Sequence, residues 1–129
     1  MKKILFALVA LLFCCGIDAN AQNIVKYTCT EAATYTPSEG WSEWFKVTHS
    51  VTVNMANNTM VINGDGKVTY QIIDATGETP TSDGGVMVEM YGVDQFGEYC
   101  QITAIVKPDG QKLLRFEYDM VGTLLYKVK

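Results

Sequence analysis

The stretch Trp44–Ala56, WFKVTHSVTVNMA, decides the fold class of this chain. Apolar and polar residues alternate along its length, and a period of two is typical of a β-strand with one buried face. The alternation therefore predicts a half-buried antiparallel strand. Its predicted inward face holds Phe45, Val47, His49, Val51, Val53 and Met55. Its predicted outward face holds Trp44, Lys46, Thr48, Ser50, Thr52 and Asn54.

The same period continues on both sides of this strand, and no window shows a helical period. Asn, Asp, Gly and Pro mark short turns between the segments, as expected for hairpins. About eight strands at this spacing predict an all-β domain, an antiparallel up-and-down barrel, with a β-sandwich as the alternative. The other predicted strands are Asn23–Thr30, Thr59–Asn63, Lys67–Asp74, Gly85–Val93, Glu98–Lys107, Lys112–Asp119 and Thr123–Lys129.

The inward faces of these strands predict the hydrophobic core of the domain. Closing the first strand against the last would remove exposed sheet edges, which favours a barrel. The residues expected to be largely buried are Val47, Val51, Val53, Ile72, Val88, Ile102, Ala104, Leu114 and Phe116.

The N-terminus, residues 1–21, has the three-part plan of a cleavable signal peptide. Lys2 and Lys3 precede the apolar run Ile4–Cys15, and Ala19-Asn20-Ala21 forms a small-x-small cleavage site before Gln22. The run is shorter than the roughly 20 residues that a membrane span needs. We expect a bacterial protein that is exported to the periplasm, cell surface or medium, with residues 22–129 as one domain that has no membrane attachment. A retained N-terminal anchor is the alternative.

The charge balance excludes some classes of partner. Residues 22–129 contain 8 basic and 13 acidic side chains and no basic run. A mildly acidic surface offers no electrostatic attraction to nucleic acid or to anionic lipid. We therefore expect no nucleic-acid partner.

A signal peptide followed by eight short antiparallel strands resembles small calycin-type, lipocalin-like barrels. The resemblance is one of layout and covers the whole mature chain. The Gly-x-Trp of lipocalins is not matched, because Gly40 and Trp41 are adjacent and precede the second predicted strand. The resemblance implies a barrel with an apolar ligand cavity or a surface that binds proteins.

Two cysteines remain after cleavage, Cys29 and Cys100, both on apolar strand faces. An exported protein permits a disulfide between them, and two buried free thiols are the alternative. His49 is the single histidine, so no multi-histidine zinc site is expected, and no cofactor is implied.

His49 could serve a small hydrolase together with a carboxylate, and a catalytic carboxylate pair drawn from Glu89, Asp94 and Glu98 across one hairpin is a separate possibility. The alternative is a core or barrel-mouth histidine that is hydrogen-bonded to a neighbour, with the three carboxylates as solvated surface charges. No Gly-x-Ser-x-Gly motif accompanies the histidine. We expect a protein that is not an enzyme.

The segment Glu31–Glu43, EAATYTPSEGWSE, predicts a connection longer than a hairpin needs. It concentrates Tyr35 and Trp41, and Trp44 follows it. Exposed aromatic residues on a loop bind partners through large apolar area, but the same residues could fold over one barrel end and plug it.

The sequence thus predicts a non-catalytic binding protein for a small apolar ligand or a protein partner, with contacts from Tyr35, Trp41, Trp44 and His49. A surface interaction, structural or inhibitor protein with a filled core is the alternative. A hollow interior would favour the ligand, and a filled interior with an exposed apolar patch would favour the surface partner.

Overall fold

The computed structural model describes residues 24–119 and 121–129; the predicted signal peptide lies outside them. The predicted all-β class is confirmed, and the described residues contain no helix. The ten strands are β1 (Ile24–Thr36), β2 (Gly40–Trp41), β3 (Phe45–Asn54), β4 (Thr59–Asn63), β5 (Lys67–Ala75), β6 (Thr79–Pro80), β7 (Val86–Asp94), β8 (Tyr99–Val106), β9 (Lys112–Tyr118) and β10 (Gly122–Val128).

Eight of these strands form a closed antiparallel barrel, in the order β1-β3-β4-β5-β7-β8-β9-β10. β10 pairs with β1 from Cys29↔Val128 to Tyr35↔Thr123 and closes the sheet. Each strand therefore lies beside its successor along the chain, as a meander of short hairpins requires. The predicted up-and-down barrel is confirmed. The two-residue strands β2 and β6 lie outside the barrel, paired with β1 and β7.

The first strand is longer than the sequence predicted. β1 continues through Glu31 to Thr36 after a β-bulge between Cys29 and Glu31, and β2 then turns back onto it. The predicted long loop Glu31–Glu43 is therefore wrong. The bulge adds a residue and disrupts the inward-outward alternation, so the pattern that marks the strand stops where the strand itself continues.

Of the nine residues predicted to be largely buried, eight are buried, and Val47 is only half-buried. β4 ends at Asn63, opposite Ser50, so the first part of β3 has no neighbour on that side. The inward-facing side chains there project past the barrel rim. Phe45, predicted to face the core, is 45% exposed for the same reason.

The barrel interior is filled by large side chains. Tyr70 on β5 stacks on Phe116 of β9 with ring centroids 5.6 Å apart, and Phe116 meets Tyr126 of β10 edge to face at 6.2 Å. β5 and β10 lie on opposite sides of the barrel, so these rings span its width. Side chains that fill the lumen are the usual state of an eight-stranded barrel. The largest fully buried side chains are Tyr27, Tyr70, Tyr126, Phe116, Met60, Ile72, Met90, Ile102 and Leu114.

The two ends of the barrel differ in the side chains of their turns. In a meander, alternate connections lie at the same end, so the β1–β3, β4–β5, β7–β8 and β9–β10 connections share one end. We call it the aromatic end, because large apolar side chains are exposed in or beside these connections. The most exposed of them are Trp41, Phe96, Tyr99 and Val121. Connections at the opposite end consist mainly of Asn, Asp, Gly, Thr and Pro.

Candidate functional site

A row of five side chains crosses the outer wall of the barrel below the aromatic end. The strand register places Tyr91, Gln101, Glu117, Thr123 and Tyr35 side by side on β7, β8, β9, β10 and β1. Tyr91, Gln101 and Glu117 face outward because buried core residues precede them in sequence, and the register aligns Thr123 and Tyr35 with them on the same face. The row lines an open cleft of about 400 Å³, which we call the tyrosine cleft.

Residues from the turns complete the tyrosine cleft. Pro37 lies in the β1–β2 turn, Tyr99 begins β8, and Asp119 and Val121 lie between β9 and β10. Tyr99 is 69% exposed and Val121 is 67% exposed. The cleft therefore combines aromatic and aliphatic surface with two carboxylates, those of Glu117 and Asp119.

The segment with Tyr35 and Trp41, which was predicted to contact a partner, borders the tyrosine cleft. Tyr35 lines it, and the Trp41 ring packs against Tyr35 with centroids 5.4 Å apart at an angle of 52°. The β1–β2 turn is closed by the Glu39 N–H, which donates to the Thr36 carbonyl at 3.2 Å. Trp41 is 53% exposed, so the expectation that it plugs the barrel is wrong. The pairing of β2 on β1 holds it outside the core.

Trp44 packs on the outer wall of the barrel and does not line the tyrosine cleft. The Lys127 ammonium lies 4.4 Å from the centroid of the Trp44 ring and forms a 3.0 Å ion pair with Glu31. A cation over an indole face contributes about 0.5–1 kcal/mol at exposed sites. Trp44 thus helps to hold the β2–β3 connection against β1 and β10, while Trp41 and Tyr35 stay at the surface.

A hydrogen-bonded chain lies where the cleft meets the core. Tyr118 donates to Asp94 Oδ2 at 3.0 Å, and because its single proton is used there, Tyr70 donates to Tyr118 at 2.8 Å. Desolvation raises the pKa of both phenols. Desolvation also acts to raise the pKa of Asp94, but hydrogen bonds from the Glu98 N–H, the Tyr118 hydroxyl and the Phe96 N–H outweigh it and lower that pKa.

His49 lies in a second open cleft, of about 690 Å³, whose lining includes Cys29 and Asp65. Its Nδ1 and the Tyr126 hydroxyl share a hydrogen bond of 2.7 Å, and the two rings meet edge to face. The imidazole also packs against Gly64, where a Cβ would stand 2.9 Å from Cε1. The structure thus places His49 at the barrel mouth and bonded to a neighbour.

The carboxylates considered for acid–base chemistry lie apart from His49 among residues 24–119 and 121–129. His49 forms no hydrogen bond or ion pair with a carboxylate there. Glu89 accepts from Gln101 on the outer wall at 3.0 Å, whereas Asp94 and Glu98 belong to the β7–β8 turn. In the same part of the chain, no three histidine, cysteine or acidic side chains group as metal ligands would.

The disulfide between Cys29 and Cys100 is not formed, and both side chains are buried free thiols. β9 and β10 separate their strands, β8 and β1, in the barrel wall. Burial raises the pKa of Cys29 to about 12 and that of Cys100 to about 11. Burial therefore disfavours the reactive thiolate form of both cysteines.

Sequence reasoning missed the side chains that Tyr91, Tyr99 and Glu117 contribute to the tyrosine cleft. Tyr91 and Tyr99 occupy outward positions of β7 and β8, where a solvated strand usually carries polar residues. Exposed tyrosines at these positions were the available signal. That Tyr35 lines the same cleft depends on the pairing of β10 with β1, which no local pattern reveals.

Comparisons with models of protein families, with curated proteins and with solved structures find no match to this chain.

Proposed function

We propose that this protein is an exported, non-catalytic binding protein that contacts its partner through the aromatic end, with the tyrosine cleft at the centre of the contact. The observation that carries the proposal is a filled interior beneath an exposed aromatic surface. Monomeric proteins rarely expose large contiguous apolar patches without a binding role. The signal-peptide pattern of residues 1–21 supports export.

The filled interior favours a surface partner over a ligand inside the barrel. Ring contacts from Tyr70 through Phe116 to Tyr126 occupy the space that a lipocalin-like ligand would need. The tyrosine cleft is instead open and lies on the outer wall. Tyrosine and tryptophan are enriched where partners bind, since they bury large area at low conformational-entropy cost.

Site-specific photocrosslinking tests the proposal. A photoreactive phenylalanine analogue in place of Tyr99 samples the aromatic end, and the same analogue in place of Ile73 samples an exposed apolar position away from it. We expect discrete cross-linked products, identified by mass spectrometry in the exported fraction of the producing cells, from position 99 only.

Trp41→Ala in the same chain should abolish those products without unfolding the barrel, because Trp41 lies outside the core. Circular dichroism and urea unfolding verify that the variant remains folded. Equal products from positions 73 and 99, or none from position 99, would contradict the proposal.

A further inference from the structure

The acidic side chains of the described residues are concentrated at one end of the barrel. In or beside the connections of the aromatic end lie seven carboxylates and only two lysines. Charges of opposite sign balance at the opposite end and along the middle of the wall. The carboxylates are those of Glu39, Glu43, Asp65, Asp94, Glu98, Glu117 and Asp119, and the lysines are Lys46 and Lys67.

We propose that the partner is a basic polypeptide segment, which inserts a lysine or arginine side chain into the tyrosine cleft. This inference rests on the proposed function. Aromatic side chains surround the cleft, and a cation over an aromatic face is attracted by the ring quadrupole. The carboxylates of Glu117 and Asp119 line the same space as the Tyr99 ring, so an inserted cation would meet negative charge together with aromatic surface.

Asp119 has the more available of the two carboxylates. Glu117 already lies 3.4 Å from Arg115 Nε, whereas Asp119 is exposed and forms no ion pair with any residue in 24–119 or 121–129. An incoming cation would therefore pair with Asp119 without displacing a partner. The excess negative charge around the cleft would speed encounter with a basic surface.

A polypeptide fits this surface better than a small cation or a membrane. Phe96, Tyr99 and Val121 extend the apolar surface beyond the cleft, and one small cation would leave them exposed. Anionic lipid headgroups and nucleic acid would be repelled by the carboxylates. A neutral saccharide could stack on the tyrosines but would make no use of the charge excess.

Fluorescence anisotropy with labelled peptides tests the inference. The probes are a Lys/Arg-Gly peptide and a Glu-Gly peptide of equal length, each titrated with the folded protein at low and physiological salt. We expect binding of the basic peptide only, with affinity that falls as salt rises. Tyr99→Ala and Asp119→Asn should each weaken binding by roughly 2- to 5-fold.

Ile73→Ala and Glu78→Gln are the matched controls, since they remove an exposed apolar side chain and a negative charge away from the cleft. Both should leave the affinity unchanged. Absence of basic-peptide binding, equal binding of the acidic peptide, or equal losses in the controls would overturn the inference.

A neutral oligosaccharide series separates this inference from the proposed function. Saccharide binding that Tyr99→Ala removes would overturn the basic partner while leaving the aromatic end as a binding site. If the crosslinking from position 99 also fails, the proposed function falls together with the inference.

Discussion

Tyr126 connects the packed aromatic rings of the barrel interior to His49 at the barrel mouth. Its ring packs against Phe116 and its hydroxyl lies 2.7 Å from His49 Nδ1. Tyr126→Phe keeps the ring and removes the hydrogen bond, so we expect a loss of about 1 kcal/mol in the free energy of unfolding. Urea unfolding with an unchanged m-value measures it. Tyr91→Phe, at an exposed position, should have no effect, and an equally stable Tyr126→Phe would contradict the assigned bond.

The environment of His49 was predictable only in part. Alternation along its strand placed the imidazole on the apolar face, and a polar ring on such a face needs a hydrogen-bond partner. The identity of that partner was not predictable, since Tyr126 lies 77 positions along the chain. The two meet only because β10 closes on β1, beside β3. The sequence of β3 therefore indicates that His49 needs a hydrogen-bond partner, but it does not indicate which residue provides that partner.

The hairpin of β7 and β8 is held by Asp94, and its stability should depend on pH. The pKa of Asp94 is lowered in the folded protein, so its stabilising contribution is complete above the unfolded value of about 4 and is lost as pH falls through the folded pKa. Asp94→Asn should therefore be less stable than the wild type at neutral pH, and the difference should shrink below about pH 4. Unfolding free energies measured across this range provide the test, with Glu78→Gln as the control. A difference that does not change with pH would contradict the prediction.

Strands and turns were predictable wherever alternation and turn chemistry agreed. The Asn57-Asn58 turn, for example, has Asn58 at a positive φ of 56°, as its residue type indicated. β1 was only half recognised, because the bulge after Cys29 disrupts the period and Glu31 faces outward to meet Lys127. β2 has two residues, too few to give a period. Local patterns thus fail where an irregularity or a partner strand determines the conformation.

Barrel closure was predictable from the whole chain, whereas the tyrosine cleft was not. Eight amphipathic strands with short turns leave few arrangements, and closure satisfies the edges of the first and last strands. The cleft depends instead on register across five strands, which aligns Tyr35 on β1 and Tyr91 on β7 in one row along the outer wall. Each register is set by packing of the inner face. Packing of the inner face therefore determines which outward-facing side chains of different strands become neighbours. The pattern of a single strand does not reveal this grouping.

A closed barrel should expose its two thiols in one cooperative event. Cys29 and Cys100 are buried on β1 and β8, and both of these strands are paired within the barrel wall. If opening requires disruption of the whole barrel, alkylation of both thiols should report the same free energy, equal to that of global unfolding. Site-resolved labelling of residues 22–129, followed by mass spectrometry, measures the two rates, and two reactive thiols should appear in denaturant without reductant. Much faster labelling of Cys29 would instead show that the seam between β1 and β10 opens separately, and the barrel would then be a sheet that is only loosely closed.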